Sequence, residues 1–470
     1  MSTTISLSSA VLSLVEITEA IFWLVSLKEL VAASHVRRNW RRTALSHPAY
    51  WRTILLDSPR LGDRKRFAHR LEYGQMREIK LYIRLLDTDR RILDVLSLLR
   101  EAIPRAKELH IGICSVYRKQ IDEVLAMAVP HLQVFEIYHH SAHTPELLPS
   151  FSLGRLDRIL TGSAGPSGGL VLPHNLRKIK LTNILLPPAS CNIAAFASAE
   201  DVEFIHATET LLPEFPCYLF DIFPNVKRLN ISAGAVEFPQ NHITSEFWKR
   251  FANLDFLHLR FRTPWLNKCF EHLPITQIAD VRIVAADAQV MQRIVDSHMR
   301  DRFDLEFREF KEEEGGFDIV VRDLATDRVC RLFESKELYG RDSTNTNTFF
   351  RTEFCGEVQH LHIQTSLWSL IAPWMPAFPT VTKLTVDIDN KSPEVVHLPI
   401  EVISLLNLQT ILLKSTSIHG FVRVHADDVV DFANRFGLSA LQLEVSGVLL
   451  DDLTSATLQR FTAVIVNHPW

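Results

Sequence analysis

One segment has the spacing of a hydrolase nucleophile. Gly165 to Gly169 has the sequence Gly-Pro-Ser-Gly-Gly and fits the pattern GxSxG, in which Ser167 would attack a carbonyl carbon. That chemistry requires a buried strand before the serine and a helix after it. Here Pro166 precedes Ser167, and a Val-Leu-Pro sequence follows at 171–173. These residues favour a loop, and they argue against a hydrolase.

Histidines are the other residues with potential chemistry. His139, His140 and His143 cluster, but no nearby cysteine or carboxylate completes a set of metal ligands, so we predict a solvated loop. His360 and His362 alternate along a predicted strand and therefore share one face. The sequence contains neither a GxxxxGKS/T phosphate-binding loop nor an HExxH zinc motif. We therefore predict a protein without enzymatic activity, cofactor or metal.

Composition and charge exclude several classes of protein. The 470 residues include 51 Lys and Arg against 55 Asp and Glu, a formal net charge of −4 that gives no global attraction to nucleic acid or membranes. Hydrophobic residues make up 47% of the chain, enough for a folded core. The apolar stretch from Val11 to Leu27 contains Glu16 and Glu19, so we expect neither a signal peptide nor a membrane span. Six scattered cysteines without a CxxC pair indicate a reducing compartment, and we expect the protein in the cytoplasm, the nucleus or both.

The most strongly biased segment is basic. Residues 35 to 70 hold ten Lys or Arg against Asp57 and Asp63, a local charge of +8. A solvated helix face explains such a segment, and so does a patch that meets an acidic partner or a nuclear-import signal. Nucleic-acid binding is disfavoured because no aromatic platform or DNA-reading helix accompanies the charge.

Two capping boxes and one apolar period predict three short helices near the start of the chain. Ser13–Glu16 and Ser26–Glu29 each have serine at the N-cap and glutamate three residues later, so the two side chains can bond each other's backbone N–H groups. A third helix is predicted to carry Val36, Trp40 and Ala44 at steps of four residues.

The first predicted helix has more apolar surface than one face can bury. Leu14, Ile17, Ile21 and Leu24 fall on one stripe, and the segment 21–24 is apolar on all sides. This surface either packs on the rest of the chain or docks another protein.

This N-terminal segment resembles an F-box. The family pattern runs roughly LPxEI, IF, L, DL, A, VC, W and LW, and the matching residues are Glu16-Ile17, Ile21-Phe22, Leu30 to Val36, Trp40-Arg41 and Tyr50-Trp51. Two positions depart from it, because Ser13-Leu14 replaces the Leu-Pro opening and Arg37 replaces the usual cysteine. The resemblance implies a three-helix F-box over residues 1–58 that binds a Skp-family adaptor and, through it, a cullin. The implied adaptor contacts, or the packing that shapes them, are Ile17, Ile21, Phe22, Leu24, Leu30, Val36 and Trp40.

The remaining residues, 59–470, repeat the pattern apolar-x-x-apolar-x-apolar. Its last apolar positions, including weaker copies at Leu160 and Ile205, are 21 to 28 residues apart up to residue 283 and 23 to 30 apart from residue 363 to 443. This spacing resembles that of leucine-rich repeats and implies an irregular α/β solenoid. The alternative is an ordinary α/β domain with repeated βα units. The clearest copies begin at Ala106, Leu132, Leu176, Val226, Leu254, Ile278, Val358, Val381, Leu408 and Leu438.

The period is broken between residues 283 and 363. Asp304–Phe310, Phe317–Arg322 and Arg328–Phe333 have the composition of strands, with turn-rich segments between them. We therefore predict a small, irregular β-meander insertion over residues 285–355.

By resemblance, the chain is a non-catalytic substrate receptor of an SCF-type cullin–RING ubiquitin ligase. The F-box would bind the adaptor, and the repeats would bind a protein substrate, with no nucleic acid or membrane as partner. The alternative is a stand-alone leucine-rich-repeat scaffold whose F-box-like helices only cap the solenoid. Candidate substrate contacts are the polar positions between apolar strand residues, namely His110, Glu136, Lys180, Asn230, His258, Arg282, His362 and Thr385.

Overall fold

The computed structural model divides the chain into two compact units, Met1–Asn230 and Ile231–Trp470. Ser13, Leu160, His140, His143 and the GxSxG segment at 165–169 lie outside the residues that it describes. The described residues are 15–56, 61–73, 78–85, 92–113, 129, 131–139, 175–184, 194–206, 218–233, 245–260, 272–284, 302–309, 316–335, 352–389, 396–415, 422–452 and 459–467.

The first unit begins with four short helices, α1 (Val15–Leu24), α2 (Leu27–Ser34), α3 (Arg38–Ser46) and α4 (Pro48–Arg52). The predicted capping box before α2 is confirmed. The Ser26 hydroxyl accepts a hydrogen bond from the backbone N–H of Glu29 at 3.3 Å, and the Glu29 carboxylate accepts one from the backbone N–H of Ser26 at 2.6 Å.

The third helix differs from its prediction. It was expected to carry Val36, but α3 begins at Arg38 and Val36 lies in the turn that precedes it. The reason is local, because Arg37 has an extended backbone with φ −144° and ψ 154° and forms the boundary of the helix.

Parallel strands, with helices or 3₁₀ turns described between some of them, make up the rest of the first unit. Each strand from β1 to β6 pairs with the next one along the chain, and every pair is parallel. The elements are β1 (Thr53–Leu56), α5 (Leu61–Tyr73), β2 (Ile79–Leu85), α6 (Ile92–Ala102), a 3₁₀ turn (Ile103–Arg105), β3 (Ala106–Ile113), β4 (Val134–His139), β5 (Lys178–Thr182), a 3₁₀ turn (Ala194–Ser198) and β6 (Asp201–Ile205).

The apolar repeat residues of these strands face one another. Leu81, Leu109, Phe135 and Ile179 are consecutive partners across β2 to β5, and all are fully buried. Strand side chains alternate between the two faces of a sheet, so the residues next to this row form a second row on the opposite face. Burial of the apolar row therefore fixes which polar residues point outward.

Two elements lie close to the boundary between the units in sequence. They are α7 (Leu219–Ile222) and β7 (Arg228–Ser232), and the boundary falls within β7. The second unit then contains α8 (Ser245–Phe251), β8 (Phe256–Arg260), a 3₁₀ turn (Ile275–Gln277), β9 (Asp280–Val284), β10 (Phe303–Glu309), β11 (Gly316–Asp323), β12 (Val329–Ser335), α9 (Thr352–Cys355), β13 (Val358–Gln364), α10 (Thr365–Ile371), a 3₁₀ turn (Ala372–Trp374), β14 (Lys383–Asp387), β15 (Thr410–Lys414), β16 (Val422–His425), α11 (Ala426–Asn434), β17 (Leu441–Ser446), β18 (Val448–Asp451) and β19 (Phe461–Asn467).

The predicted meander is confirmed as three strands, β10, β11 and β12, with antiparallel pairing between neighbours. Its outer strands pair with the flanking parallel strands, β12 with β9 and β10 with β13. The spatial order β9–β12–β11–β10–β13 therefore reverses the chain order and keeps the sheet continuous through the insertion. Beyond β13 the pairs β13–β14–β15–β17–β19 are parallel, and β16 and β18 form a separate parallel pair.

These observations establish a mixed α/β fold with a mostly parallel sheet, so the predicted fold class is confirmed at this level. They do not by themselves identify an F-box, and they do not show the expected leucine-rich-repeat solenoid as such. Within the described residues, no helix has the length and apolar composition needed to cross a membrane.

Gly447 forms the turn between β17 and β18, and Gly437, which precedes β17, provides a matched comparison for it. Gly447 has φ +69°, and a Cβ atom there would lie 2.3 Å from the Ser415 carbonyl oxygen. Gly437 has φ +67° with open space around it. Gly437→Ala should lower the free energy of unfolding by about 1 kcal/mol, from the left-handed backbone alone. Gly447→Ala should lower it by about 2–4 kcal/mol, because overpacking is added. Urea unfolding measures both, and equal losses would contradict the contact.

Candidate functional site

The N-terminal helices pack around a small core of their own. Phe22 of α1, Leu30 of α2 and Ala44 of α3 are buried together. Trp40 is half-buried against this core and meets the Phe22 ring edge-to-face, with ring centroids 6.2 Å apart. Of the seven residues predicted for the adaptor surface, Phe22 and Leu30 therefore shape the helices and offer no contact surface.

The opposite side of α1 remains apolar and open to solvent. Ile17 is half-buried, whereas 37% of Ile21 and 87% of Leu24 are exposed. At 100° per residue these three side chains form one stripe, and the 57% exposed Trp23 lies about 100° around the helix from Leu24, with its ring 4.6 Å from the His47 ring. Val36, in the turn before α3, is also exposed. We call Ile17, Ile21, Trp23 and Leu24 the α1 surface.

Buried contacts fasten the helices to the first strands of the same unit. The Arg70 guanidinium on α5 donates to the backbone carbonyls of Tyr50 and Thr53, both at 2.9 Å, and lies over the Tyr50 ring. The Trp51 indole N–H donates to the Leu45 carbonyl. These bonds link α3, α4, β1 and α5, so the position of the helices relative to β1 is fixed.

A polar row crosses the sheet of the first unit. Tyr82, His110, Glu136, Lys180 and Glu203 are consecutive partners from β2 to β6. The His110 ring stacks on the Tyr82 ring at 4.1 Å, and its Nδ1 donates to Glu136 at 2.7 Å. Lys180 lies 3.3 Å from Glu203. Three predicted substrate contacts, His110, Glu136 and Lys180, are thus brought together, but each is already paired.

The charges of this row perturb one another. Partial burial acts to raise the pKa of Glu136, but the hydrogen bond from His110 and the electrostatic effects of His110, Lys180 and Lys178 outweigh it and lower that pKa. Burial likewise acts to lower the pKa of Lys178, and its 2.6 Å hydrogen bond to Glu203 reverses the effect. Both groups are therefore held in their charged forms.

A second polar row crosses the sheet of the other unit. His258 and Arg282 are direct partners on β8 and β9, and His362 and Thr385 are direct partners on β13 and β14. The meander supplies Arg331, Val320 and Glu306 between these pairs. The sequence prediction therefore named residues at both ends of this row. It did not name the residues between them, because the meander strands enter the sheet in the reverse of their chain order.

The buried carboxylate of Asp318 organises this row where the meander meets β9. Arg282 donates to Asp318 at 3.1 Å, and the Arg308 guanidinium lies 3.7 Å from the same carboxylate. Burial raises the pKa of Asp318, and the nearby guanidinium groups of Arg282, Arg308 and Arg331 oppose that rise. Arg331, directly opposite Arg282, has its own partner in Asp280 at 2.8 Å. Each of the two adjacent guanidinium groups thus has a carboxylate.

Sequence reasoning missed both Asp318 and Glu203. Asp318 interrupts the apolar residues at 317–321 of the strand Gly316–Asp323, and a charge within such a run is the signal that could have marked it as paired. Glu203 lies between buried Val202 and Phe204, so period-two alternation could have placed it in the row.

His362 and Asn230 complete the predicted set. His362 lies 3.6 Å from both Glu306 and Asp387 on the flanking strands. Asn230 is on β7, and its buried Oδ1 has no hydrogen-bond partner among the described residues.

Within the ranges described, no group of three or more His, Cys, Asp or Glu side chains is placed to hold a metal ion. The arrangement can bind a surface of mixed charge by exchanging ion-pair partners.

Comparison with models of known protein families gives no match for this chain, and comparison with curated proteins gives none either.

His258 should make stability depend on pH. Burial, together with the charges of Arg282 and Arg260, lowers its pKa from 6.5 to about 3. The unfolded chain therefore binds a proton between pH 6.5 and 3 that the folded chain does not, so this contribution is complete above pH 6.5 and is lost as the pH falls. Between pH 7.5 and pH 5 the loss is about 2 kcal/mol.

His258→Gln should remove that part of the pH dependence. Urea unfolding at both pH values measures it, and the difference at pH 7.5 gives the packing cost of the substitution separately. A variant that loses stability on acidification as steeply as the wild type would show that His258 is hydrated and titrates normally.

Proposed function

We propose that the chain is an F-box-type substrate receptor of an SCF-type cullin–RING ubiquitin ligase, acts in the cytoplasm or nucleus, and catalyses no reaction itself. The observation that carries the proposal is the α1 surface, a set of exposed or half-buried apolar side chains on helices that already have their own core. The order of helices and aromatic residues resembles an F-box, and a Skp-family adaptor is the partner that this resemblance implies.

The energetics of the α1 surface support a docking role. Burying an exposed Leu or Ile side chain completely contributes about 1.5–3 kcal/mol. Trp23 adds a large aromatic side chain of the kind that dominates binding energy at protein interfaces. Because Phe22 and Leu30 fill the core, folding of the helices does not require the outward residues to be apolar.

The attachment of the helices supports the receptor role. A substrate receptor accelerates ubiquitin transfer by holding the substrate near the ligase, so the adaptor-binding surface and the substrate-binding surface need a fixed separation. The bonds of Arg70 and Trp51 supply such a link between the helices and the first strands of the same unit.

We further propose that the strands are degenerate leucine-rich repeats whose polar rows bind a protein substrate. Two observations support this: consecutive strands of the first unit pair in parallel in chain order, and each apolar repeat residue faces its counterpart in the next strand. The rows carry both charges, which favours a protein epitope over a polyanion.

Charge on the α1 surface should strongly weaken adaptor binding without unfolding the helices. Ile21→Asp combined with Leu24→Asp should weaken binding of a purified Skp-family adaptor by about a hundredfold or more, because two apolar contacts are lost. Isothermal titration calorimetry measures the change. Phe22 is unsuitable for this test, since Phe22→Ala would cost the core about 3–5 kcal/mol.

Leu55→Asp is the matched control, because it makes the same change at an exposed leucine on β1. It should leave adaptor affinity unchanged. If wild-type protein does not bind the adaptor, or if the double variant binds as well as the wild type, the stand-alone scaffold replaces this proposal.

The two polar rows allow substrate contact and structural pairing to be separated. Lys180 has 35% of its side chain exposed, and Arg282 has 13%. Lys180→Gln should change the free energy of unfolding by less than about 1 kcal/mol, as expected for an exposed ion pair, yet reduce substrate capture. Arg282→Gln leaves Asp318 under-compensated and should cost about 3 kcal/mol.

Quantitative affinity capture with cullin and proteasome activity blocked measures the substrate effect. Lys227→Gln, an exposed lysine outside the row, is the control. If Lys180→Gln and Lys227→Gln capture the same proteins in the same amounts, Lys180 does not contact the substrate.

A further inference from the structure

The outward side of α3 is a concentrated positive surface. Trp40, Thr43 and Ala44 face the helical core, as their burial shows. At 100° per residue, Arg38, Arg42 and Leu45 then occupy the opposite side of the helix, and all three are exposed. Arg37, just before the helix, is exposed as well. We call Arg37, Arg38, Arg42 and Leu45 the α3 surface.

Within the described part of the chain, the three arginines of the α3 surface form no ion pair. Their neighbour Arg41 differs, because its Nε donates to the Ser34 carbonyl at 3.1 Å and so has a structural task. Arg70, the other well-placed arginine of the basic segment, is bonded to two backbone carbonyls. Structural roles thus account for Arg41 and Arg70 and leave the α3 surface unexplained.

This arrangement costs the free protein stability. Arg38 and Arg42 are four residues apart on a helix, where like charges repel. Arg37 and Arg38 also lie at the N-terminal end of α3, where the helix dipole disfavours positive charge, and the first turn contains no acidic residue. Local rules of this kind are broken mainly at functional or strained sites.

The composition of the α3 surface selects the class of partner. Arginine forms paired hydrogen bonds with carboxylates, and all three cations here are arginine. The exposed Leu45, one turn after Arg42 on the same side, fits a protein interface, where arginine is enriched and the buried centre is apolar. Nucleic-acid binding surfaces use exposed aromatic rings for base stacking, whereas Trp40 of this helix faces inward.

We propose that the α3 surface binds a carboxylate-rich segment of a partner protein. The inference goes beyond the proposed adaptor docking and does not depend on it, because the α3 surface shares no residue with the α1 surface. The bound segment would neutralise the arginines and relieve their repulsion.

Fluorescence anisotropy with the full chain and a labelled octaglutamate peptide tests this proposal. The wild type should bind, and its affinity should fall as NaCl is raised from about 50 to about 200 mM. Arg38→Glu and Arg42→Glu should each weaken binding about tenfold, because a charge-assisted hydrogen bond is replaced by repulsion. Lys249→Glu makes the same change of charge at an exposed lysine on α8 and should alter the affinity for octaglutamate by less than about twofold.

Thermal unfolding separates lost binding from lost folding. Arg38→Glu places an acidic residue at the N-terminal end of α3, three and four residues before Arg41 and Arg42, so the midpoint should stay the same or rise. A lower midpoint would overturn the view that the free protein carries a repulsive cluster.

Two further probes decide the class of ligand. Single-stranded octathymidylate and vesicles containing phosphatidylserine are titrated under the same conditions. Tighter binding of either probe than of octaglutamate would overturn the proposal in favour of nucleic acid or membrane. Absence of octaglutamate binding, or equal binding by Arg38→Glu, Arg42→Glu and wild type, would overturn it outright. The affinity of the same variants for the adaptor is measured separately. Each of the two proposals is therefore decided by its own result, and one can fail without the other.

Discussion

Cross-strand burial of the apolar repeat residues is the constraint on which the polar surfaces depend. In the first unit, Leu109, Phe135 and Ile179 are partners in one buried row. A shift of one residue in any strand would expose its apolar residues and bury its charges, so the register is strongly specified. The order of polar residues along the outer row follows directly. His110 lies beside Glu136 because Leu109 must lie beside Phe135.

The same separation of faces operates in the N-terminal helices, but with a different result. On α1, Phe22 enters the core while its neighbours Ile21 and Trp23 remain exposed. A helix that needed only to fold would have polar residues on its outer side. The outer sides of α1 and α3 also differ from each other, since one is apolar and the other is arginine-rich. Helices with one common core therefore present two chemically distinct surfaces.

Periodicity in the sequence predicted the strands well, because the signal is local. Each of the ten clearest repeat copies places its last two apolar residues in a strand, and the capping box at Ser26 was equally local. What escaped prediction depends on distant partners. Arg282 and Asp318 are 36 residues apart, and they meet because the meander enters the sheet in reversed order. Likewise, the apolar run at 21–24 gives no sequence signal that only Phe22 faces the core.

Internal pairing constrains how the polar rows can recognise anything. An unpaired charge attracts any opposite charge. A paired charge must first exchange its partner, so binding is favourable only for a surface that offers both charges at the right spacing. Exchange is inexpensive at Lys180, which is partly exposed to water. It is costly at Arg282, because Asp318 is buried and removal of its partner leaves a charge in a poorly solvated site. Arg282 thus belongs to the scaffold of its row, and under the proposed function exposed members such as Lys180 are the positions that would distinguish one partner from another.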